Sequence, residues 1–450
     1  MTQPSHLPEA PALPEAFILT GAFRVVCRNP RYLEELAARG LRILLITPDT
    51  NRDAVRRARK DPEHPASLID EIAYVDGSLD LDGSFTPGFV AGARAWRGRY
   101  TVRGAYAVGE TLVEQTGLLC DALGLPGPGL RATRVCRSKY LQRWYLEEFS
   151  PTTLVLPPGG REDADLSALH YPVVAKPATR HSSSGVVAVA DAAELRALLP
   201  RYPEHETLMI EEKVTGQEYS VESLVQHGEP LFTSVTRKET TESGDRTFVE
   251  LAHSVPNAGT GEDAVLLAAN RRMLEVLGFR DGIAHAEWRI GEDGEPRLME
   301  VAARTPGDGL VALYHLATGQ PLEPEIIRIA LGEGADYPPP RRFTRQVYLE
   351  HEAGCLADVT LDWPGVRPQW VGEAGTWPDC APGEPQDGPA LRALLVLKEA
   401  GARLQPLACS DDRAVTFLID APTPEGLDAL ERAVRAAVTV VVDPEDPDEH

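Results

Sequence analysis

The sequence predicts a multidomain α/β protein of the α+β kind, opening on a parallel sheet and continuing into hairpin-built antiparallel strands. Three observations carry this. The apolar runs "AFILTG" and "LRILLITPDT" flank the helical pattern "RYLEELAARG", a strand, helix, strand unit of the sort that builds parallel sheets. Further along, two strand-like runs meet at Asp293-Gly294, a dipeptide favoured in tight hairpins. The chain has 450 residues and is 43% hydrophobic, enough for several domains with their own cores.

Composition excludes some functions. A formal charge of −23 argues against a general binder of nucleic acid or anionic membrane, either of which would show a basic face. The six cysteines, Cys27, Cys120, Cys136, Cys355, Cys380 and Cys409, form no CxxC and no metal-ligand spacing. With no signal peptide and no long apolar run, the expectation is a reduced, soluble, cytoplasmic protein. The start "MTQPSHLPEAPALPEA" and the end "DPEDPDEH" are Pro-rich and acidic and read as disordered tails over 1–15 and 444–450.

The first strand turn, "TGAFRVVCRNPR", lacks GxGxxG, so no dinucleotide fingerprint is assigned. Helical spacing at 111–123 ends in the cluster "GLPGPG", a natural domain boundary. Glu110, in the loop entering that helix, is either a pocket residue or an acid favoured by the helix dipole. A helix is expected at 131–148, with Lys139 and Arg143 one turn apart on one face, either a solvated face or an anion site.

Next, "YPVVAKPATRHSSSGVVAVAD" runs from an apolar strand into Lys176, which precedes a proline and is therefore biased to extended geometry. The loop His181, Ser182, Ser183, Ser184 and Gly185 offers hydroxyls and unhindered N–H groups that can wrap a polyphosphate, although such loops are also ordinary connections. The segment "LMIEEKVTGQEYSVESLV" then supplies Glu211, Glu212 and Glu218. A carboxylate there can accept hydrogen bonds from ribose hydroxyls or an adenine amino group.

In "HAEWRIGEDGEPRLMEVAAR", a two-residue loop at Asp293-Gly294 pairs 290 with 297, 288 with 299, and Glu287 with Glu300. Two carboxylates so opposed repel unless a cation lies between them or one holds a proton. Ala302 and Arg304 share the face of Glu300, while Trp288 and Met299 point into the core.

Taken together, "SKYLQR", "VVAKPA" with its Ser/Gly loop, "IEEKVTGQEYSVE", "AHAEWRI" and "LMEVAAR" resemble the ATP-grasp family from Lys139 to about Asp308, and more weakly over most of the chain. The resemblance implies an ATP-grasp fold, with an N-terminal parallel-sheet domain at 16–125, an ATP-grasp domain at 126–340 in two parts, 126–205 and 206–340, and a small α+β domain at 341–443. It implies ATP and Mg²⁺ as cofactors, with Mn²⁺ able to substitute. Lys139 and Lys176 would hold phosphates under the 181–185 loop. Glu211 and the backbone near Val214 would meet adenine, and Glu218 would meet ribose. Glu287 and Glu300 match metal-binding acids, and Arg304 matches the arginine that stabilises the transferring phosphoryl group. Where the family often has an asparagine as a further metal ligand, this chain has Ala302, which puts a second metal in question.

The stretch "EVAARTPGDGL" resembles the amino-acid (carboxylate–amine) ligase branch, and "RTFVELAHSVPNAG" supports it. Glu250 and His253 match an acid and a histidine of the substrate pocket, a spacing that suits a bulged strand. Asp308, between two glycines, would face an incoming amine, and Glu110 is a further pocket candidate. The resemblance implies a ligase that joins a small carboxylate to an amine through an acyl phosphate. Positioning and charge neutralisation by Mg²⁺, Lys176 and Arg304 would do most of the work. The 181–185 loop and "TRKETTESGDRT" at 236–247 are lid candidates. A bicarbonate-activating carboxylase, a phosphotransferase and a non-catalytic ATP-binding regulator remain alternatives, and the oligomeric state, a homodimer included, is left open.

Overall fold

The computed structural model describes residues 12–79, 81–161, 164–180, 183–243, 248–259, 261–372 and 376–443. The sequence-predicted tails thus fall largely outside the described residues, and the first strand already begins at Glu15. The architecture is the α/β one expected. Strands Glu15–Thr20, Arg42–Pro48, Glu71–Val75 and Thr101–Ala107 form a four-stranded sheet in the order third, second, first, fourth. All its pairings are parallel. Its two central strands are almost continuously buried, as sheets covered on both faces require. Helix Arg31–Ala38 covers one face with Tyr32, Leu33 and Leu36.

Helix Val113–Leu123 stops at Gly124, whose φ of +66° makes the left-handed cap a Cβ would resist. The helix expected at 131–148 is broken in two, Leu130–Val135 and Lys139–Tyr145. Ser138 causes the break: its backbone is extended and its hydroxyl accepts from the Leu141 N–H, starting a second helix with Lys139 as its first residue.

A second four-stranded sheet runs in the order Thr153–Leu156, Leu208–Glu212, Val173–Pro177, Val187–Val189, antiparallel throughout. Leu156, Val173, Ala175, Leu195 and Ile210 give it a small core of its own.

The largest element is a nine-stranded sheet. Its order is Pro296–Ala302, Gly282–Ile290, Glu218–Gln226, Glu229–Thr240, Glu250–Val255, Phe343–Leu349, Val415–Ala421, Ala390–Val396 and Pro368–Trp370. Glu250–Val255 pairs directly with Phe343–Leu349, so the sheet continues across position 340 without a break. Helix Asp263–Leu277 backs it, packing Leu266, Met273 and Leu277 in one core with Val221 and Trp288. A three-stranded sheet of Gly354–Leu361, Arg403–Leu404 and Val438–Asp443 lies in the C-terminal third, beside helix Pro424–Ala437.

The acid-bearing hairpin differs from expectation in an instructive way. Gly291 N–H donates to Glu295 O at 3.0 Å, so the loop has three residues, with Gly294 at φ +79°. Ile290 therefore faces Pro296, and Trp288 faces Leu298 rather than Met299. A bulge then restores the expected opposition of Glu287 and Glu300. Trp288 and Leu298 are fully buried, while Met299 is bulged out and lines a cavity instead of the core.

Among the described residues, no helix is long and apolar enough to cross a membrane. All six cysteines are free.

Candidate active site

The second four-stranded sheet, the nine-stranded sheet, the loop after the parallel sheet and the segment 410–413 together enclose a cavity of about 400 Å³. Of the sequence-predicted site residues, Glu110, Lys139, Lys176, Ser183, Ser184, Glu211, Glu212, Val214, Glu218, Glu250, His253, Glu287, Glu300, Arg304 and Asp308 line it. Gly185 sits beside it without lining it, its carbonyl accepting from the Tyr202 hydroxyl at 2.7 Å. His181 and Ser182 lie outside the described residues.

At one end, strand Val173–Pro177 delivers Lys176, buried, with its ammonium 2.6 Å from Glu211 Oε2. Arg143 donates to Glu211 Oε1 from Nε at 2.6 Å. Both oxygens of Glu211 are thus engaged by cations, which makes it the counter-ion of the lysine within the cavity wall. Burial opposes its charge, but Arg143 and Lys176 outweigh that and bring its pKa down to about 2. Arg143 and Lys139 take different partners. Arg143 turns inward to Glu211 and the Met299 carbonyl, whereas Lys139 reaches Glu300 Oε1 at 3.1 Å and the Arg180 carbonyl at 3.1 Å.

Glu218 accepts from Arg289 at 2.7 Å, and Arg289 also donates to the Val214 carbonyl at 3.2 Å. The ring of Phe248 lies 5.5 Å from the Arg289 guanidinium, at the same end of the cavity.

Glu287 and Glu300 face each other across paired strands. Each gives its Oε1 to a cation: Glu287 to Lys238 at 2.8 Å and to His285 at 3.4 Å, Glu300 to Lys139. Among the described residues, neither Oε2 has a hydrogen-bond partner. Two hard carboxylate oxygens thus remain available, which suits Mg²⁺ completed by phosphate and water. No group of three or more His, Cys, Asp or Glu placed to hold a metal ion exists among the described residues.

Beneath Glu287, His285 Nδ1 is 2.8 Å from Glu222, which also accepts from Thr236, Tyr314 and Ser220. Burial disfavours a charged imidazole, yet Glu222 and Glu287 overcome it and raise the His285 pKa to about 9. A protonated histidine and a saturated Glu222 fix Glu287 in place.

A bulge at Leu251 brings Glu250 and His253, three residues apart, to the same cavity. His253 Nε2 lies 2.7 Å from Asp308 Oδ2, and its buried Nδ1 has no partner among the described residues. Asp308 adopts φ +53°, a left-handed conformation that aspartate tolerates, and Arg413 clamps it at 2.6 and 3.0 Å. Burial works against the Asp308 charge, but Arg413 and His253 hold its pKa well below the ordinary range. Arg304 donates to Glu110, which Arg137 also approaches at 3.5 Å.

Sequence reasoning missed Lys238, Arg289, His285, Arg137 and the C-terminal Ser410, Asp411 and Arg413. For Lys238 a signal existed. The strand Glu229–Thr240 takes in the start of the 236–247 segment read as a lid candidate, as far as Thr240, and its period of two puts Thr236 and Lys238 on one buried face. For Arg413 there was none, since its partners are Glu250 and Asp308, more than 100 positions away.

Comparison with known proteins follows the same lines. A model of the ATP-grasp domain family matches residues 169–312. No curated protein sequence matches the chain. Among solved structures, the L-amino acid ligase of Bacillus licheniformis superposes with a TM-score of 0.71 at 18% identity, covering 95% of this chain and 99% of that one. The phosphoribosylglycinamide synthetase of Anaerococcus prevotii gives 0.64 at 14% identity, covering 95% and 100%. The biotin carboxylase domain of the Hydrogenobacter thermophilus 2-oxoglutarate carboxylase gives 0.62 at 14% identity, covering 95% and 90%. At such identities the likeness is one of fold. Residues 169–312 match the ATP-grasp domain family, and the chain shares its fold with these ligases and this carboxylase domain.

Proposed function

We propose that this protein is an ATP-dependent carboxylate–amine ligase that takes an amino acid as one substrate. The observation that carries the reading is the opposition of Glu287 and Glu300 in one cavity with Lys139 and Lys176. A carboxylate substrate attacks the γ-phosphorus of ATP, forming an acyl phosphate and ADP. An amine then attacks the acyl carbon, phosphate leaves, the amine loses a proton, and an amide remains.

The residues divide this work by position. Lys139 and Lys176 neutralise phosphate oxygens, and Ser183 and Ser184 offer donors to the same groups. The Glu218 and Val214 edge receives the nucleoside. Glu287 and Glu300 would hold the divalent ion through the oxygens left free, and that ion, when bound, supplies charge neutralisation on the phosphates. Arg304, beside Glu110, carries a guanidinium to the carboxylate about to be phosphorylated. Glu250, Asp308 and His253 form an acidic end suited to an amine, with His253 placed to accept its proton.

The subsite proposed for the amine carries two acids on one wall, Asp308, held charged by Arg413 and His253, and Glu250, whose oxygens can accept hydrogen bonds from an amine or ammonium.

The test is phosphate release from ATP and Mg²⁺ against pools of amino acids and small carboxylates, with mass spectrometry of the products. The expected product has the mass of two pool members less one water. Release that requires bicarbonate and no amino acid would favour a carboxylase, and ADP formed without free phosphate would indicate a phosphotransferase.

A further inference from the structure

Among the described residues, Lys238 is the one lysine in the cavity wall that touches three carboxylates. It is only 2% exposed, and its ammonium lies 2.8 Å from Glu218, 2.8 Å from Glu287 and 3.5 Å from Glu250. These acids come from three strands of one sheet, and Glu218 is its direct partner in register. The lysine therefore sits where the nucleoside end, the paired acids and the amine end of the cavity converge.

Three clustered carboxylates need compensation when buried. In a site with two divalent ions, the second ion would supply it, helped by a further ligand beside the second acid. Here that position is Ala302, whose methyl group lines the cavity and cannot coordinate. The charge that a second ion would bring is already present as an ammonium, tethered and hydrogen-bonded. It occupies Glu287 Oε1 and leaves Oε2 for an ion shared with Glu300.

We propose that Lys238 is a positioning residue acting as a fixed cation in place of a second divalent ion, so that the site holds one divalent ion per bound nucleotide. This rests on the ATP-ligase reading and specifies its metal requirement. Lys238 also locks Glu287 into one-oxygen coordination, because the other oxygen is engaged.

The experiment counts Mn²⁺ bound per bound ADP on the full chain, by equilibrium dialysis with electron paramagnetic resonance of free Mn²⁺ and radiolabelled ADP. The wild type is expected to bind one Mn²⁺ per ADP at saturation. Lys238→Gln removes the one cation that Glu218, Glu250 and Glu287 share, leaving Arg289 beside Glu218 and His285 beside Glu287, and is expected to raise the ratio toward two, whereas Lys238→Arg keeps it at one. Two ions per ADP in the wild type, or a ratio of one in a folded Lys238→Gln protein that binds ADP, would overturn the inference. If Lys238→Gln does not fold, Lys238→Met serves in its place, and the wild-type ratio decides if neither folds. Failure of the wild type to bind ADP at any Mn²⁺ concentration is a different result, since it removes the ATP-ligase reading itself.

Discussion

Glu211 was legible in the sequence as an acid ending a strand, but its partners were not, because Arg143 approaches from a helix 68 positions earlier. Lys176 and Arg143 share this buried carboxylate, so removing its charge strands two cations in low dielectric. Glu211→Gln is expected to cost about 3 to 5 kcal/mol at pH 7, the range for breaking a buried pair on one side. Its folded pKa of about 2 lies below the ordinary 4.5, so the stabilisation is fully present above pH 4.5 and is lost as pH falls through 2. Urea unfolding of the two proteins should therefore show a gap that is flat above pH 4.5 and closes below it. A gap independent of pH across that window would contradict the pairing. Glu300 behaves differently, being partly exposed with one oxygen unpartnered. Glu300→Gln is expected to lower Mg²⁺-dependent turnover about 100-fold or more while the melting temperature stays close to wild type. Near-normal turnover would remove the pair from the reaction.

At the scale of elements, the hairpin shows what a pattern can and cannot fix. The Asp-Gly turn and the alternation of charge located both strands and the opposed acids, since these depend on local chemistry. The loop length and the bulge did not show, because each is a one-residue shift and the two shifts cancel at Glu300. Gly216 is a second local determinant, in the turn that leads from Val214 to Glu218. Its φ is +112°, and a Cβ there would meet the Ile290 carbonyl oxygen at 2.1 Å. Gly216→Ala should therefore push the turn away from the hairpin, at a cost of about 1 to 3 kcal/mol. It should also weaken ADP binding measured by calorimetry, while Gly294→Ala in the open hairpin loop, with nothing within 4 Å, should not affect binding. Equal effects of the two changes would show that the turn does not place the nucleoside edge.

Across the whole molecule, the site is assembled from segments that span positions 110 to 413. The central segments were readable, because lysine at a strand end, a small-residue loop and paired acids each carry a chemical reason at short range. The C-terminal contribution was not, since the strand Phe343–Leu349 joins the central sheet through Glu250–Val255 and so brings Arg413 to Asp308. Only tertiary pairing makes that contact. The central claim is that this assembled cavity activates a carboxylate by transferring phosphate to it. The most direct measurement incubates the protein with ATP, Mg²⁺ and pools of amino acids and small carboxylates all labelled with ¹⁸O in the carboxyl groups, then weighs the phosphate released. Transfer through an acyl phosphate moves one carboxyl oxygen to phosphate, so each released phosphate should carry one ¹⁸O. Phosphate released without label, or label appearing in AMP, would contradict the account.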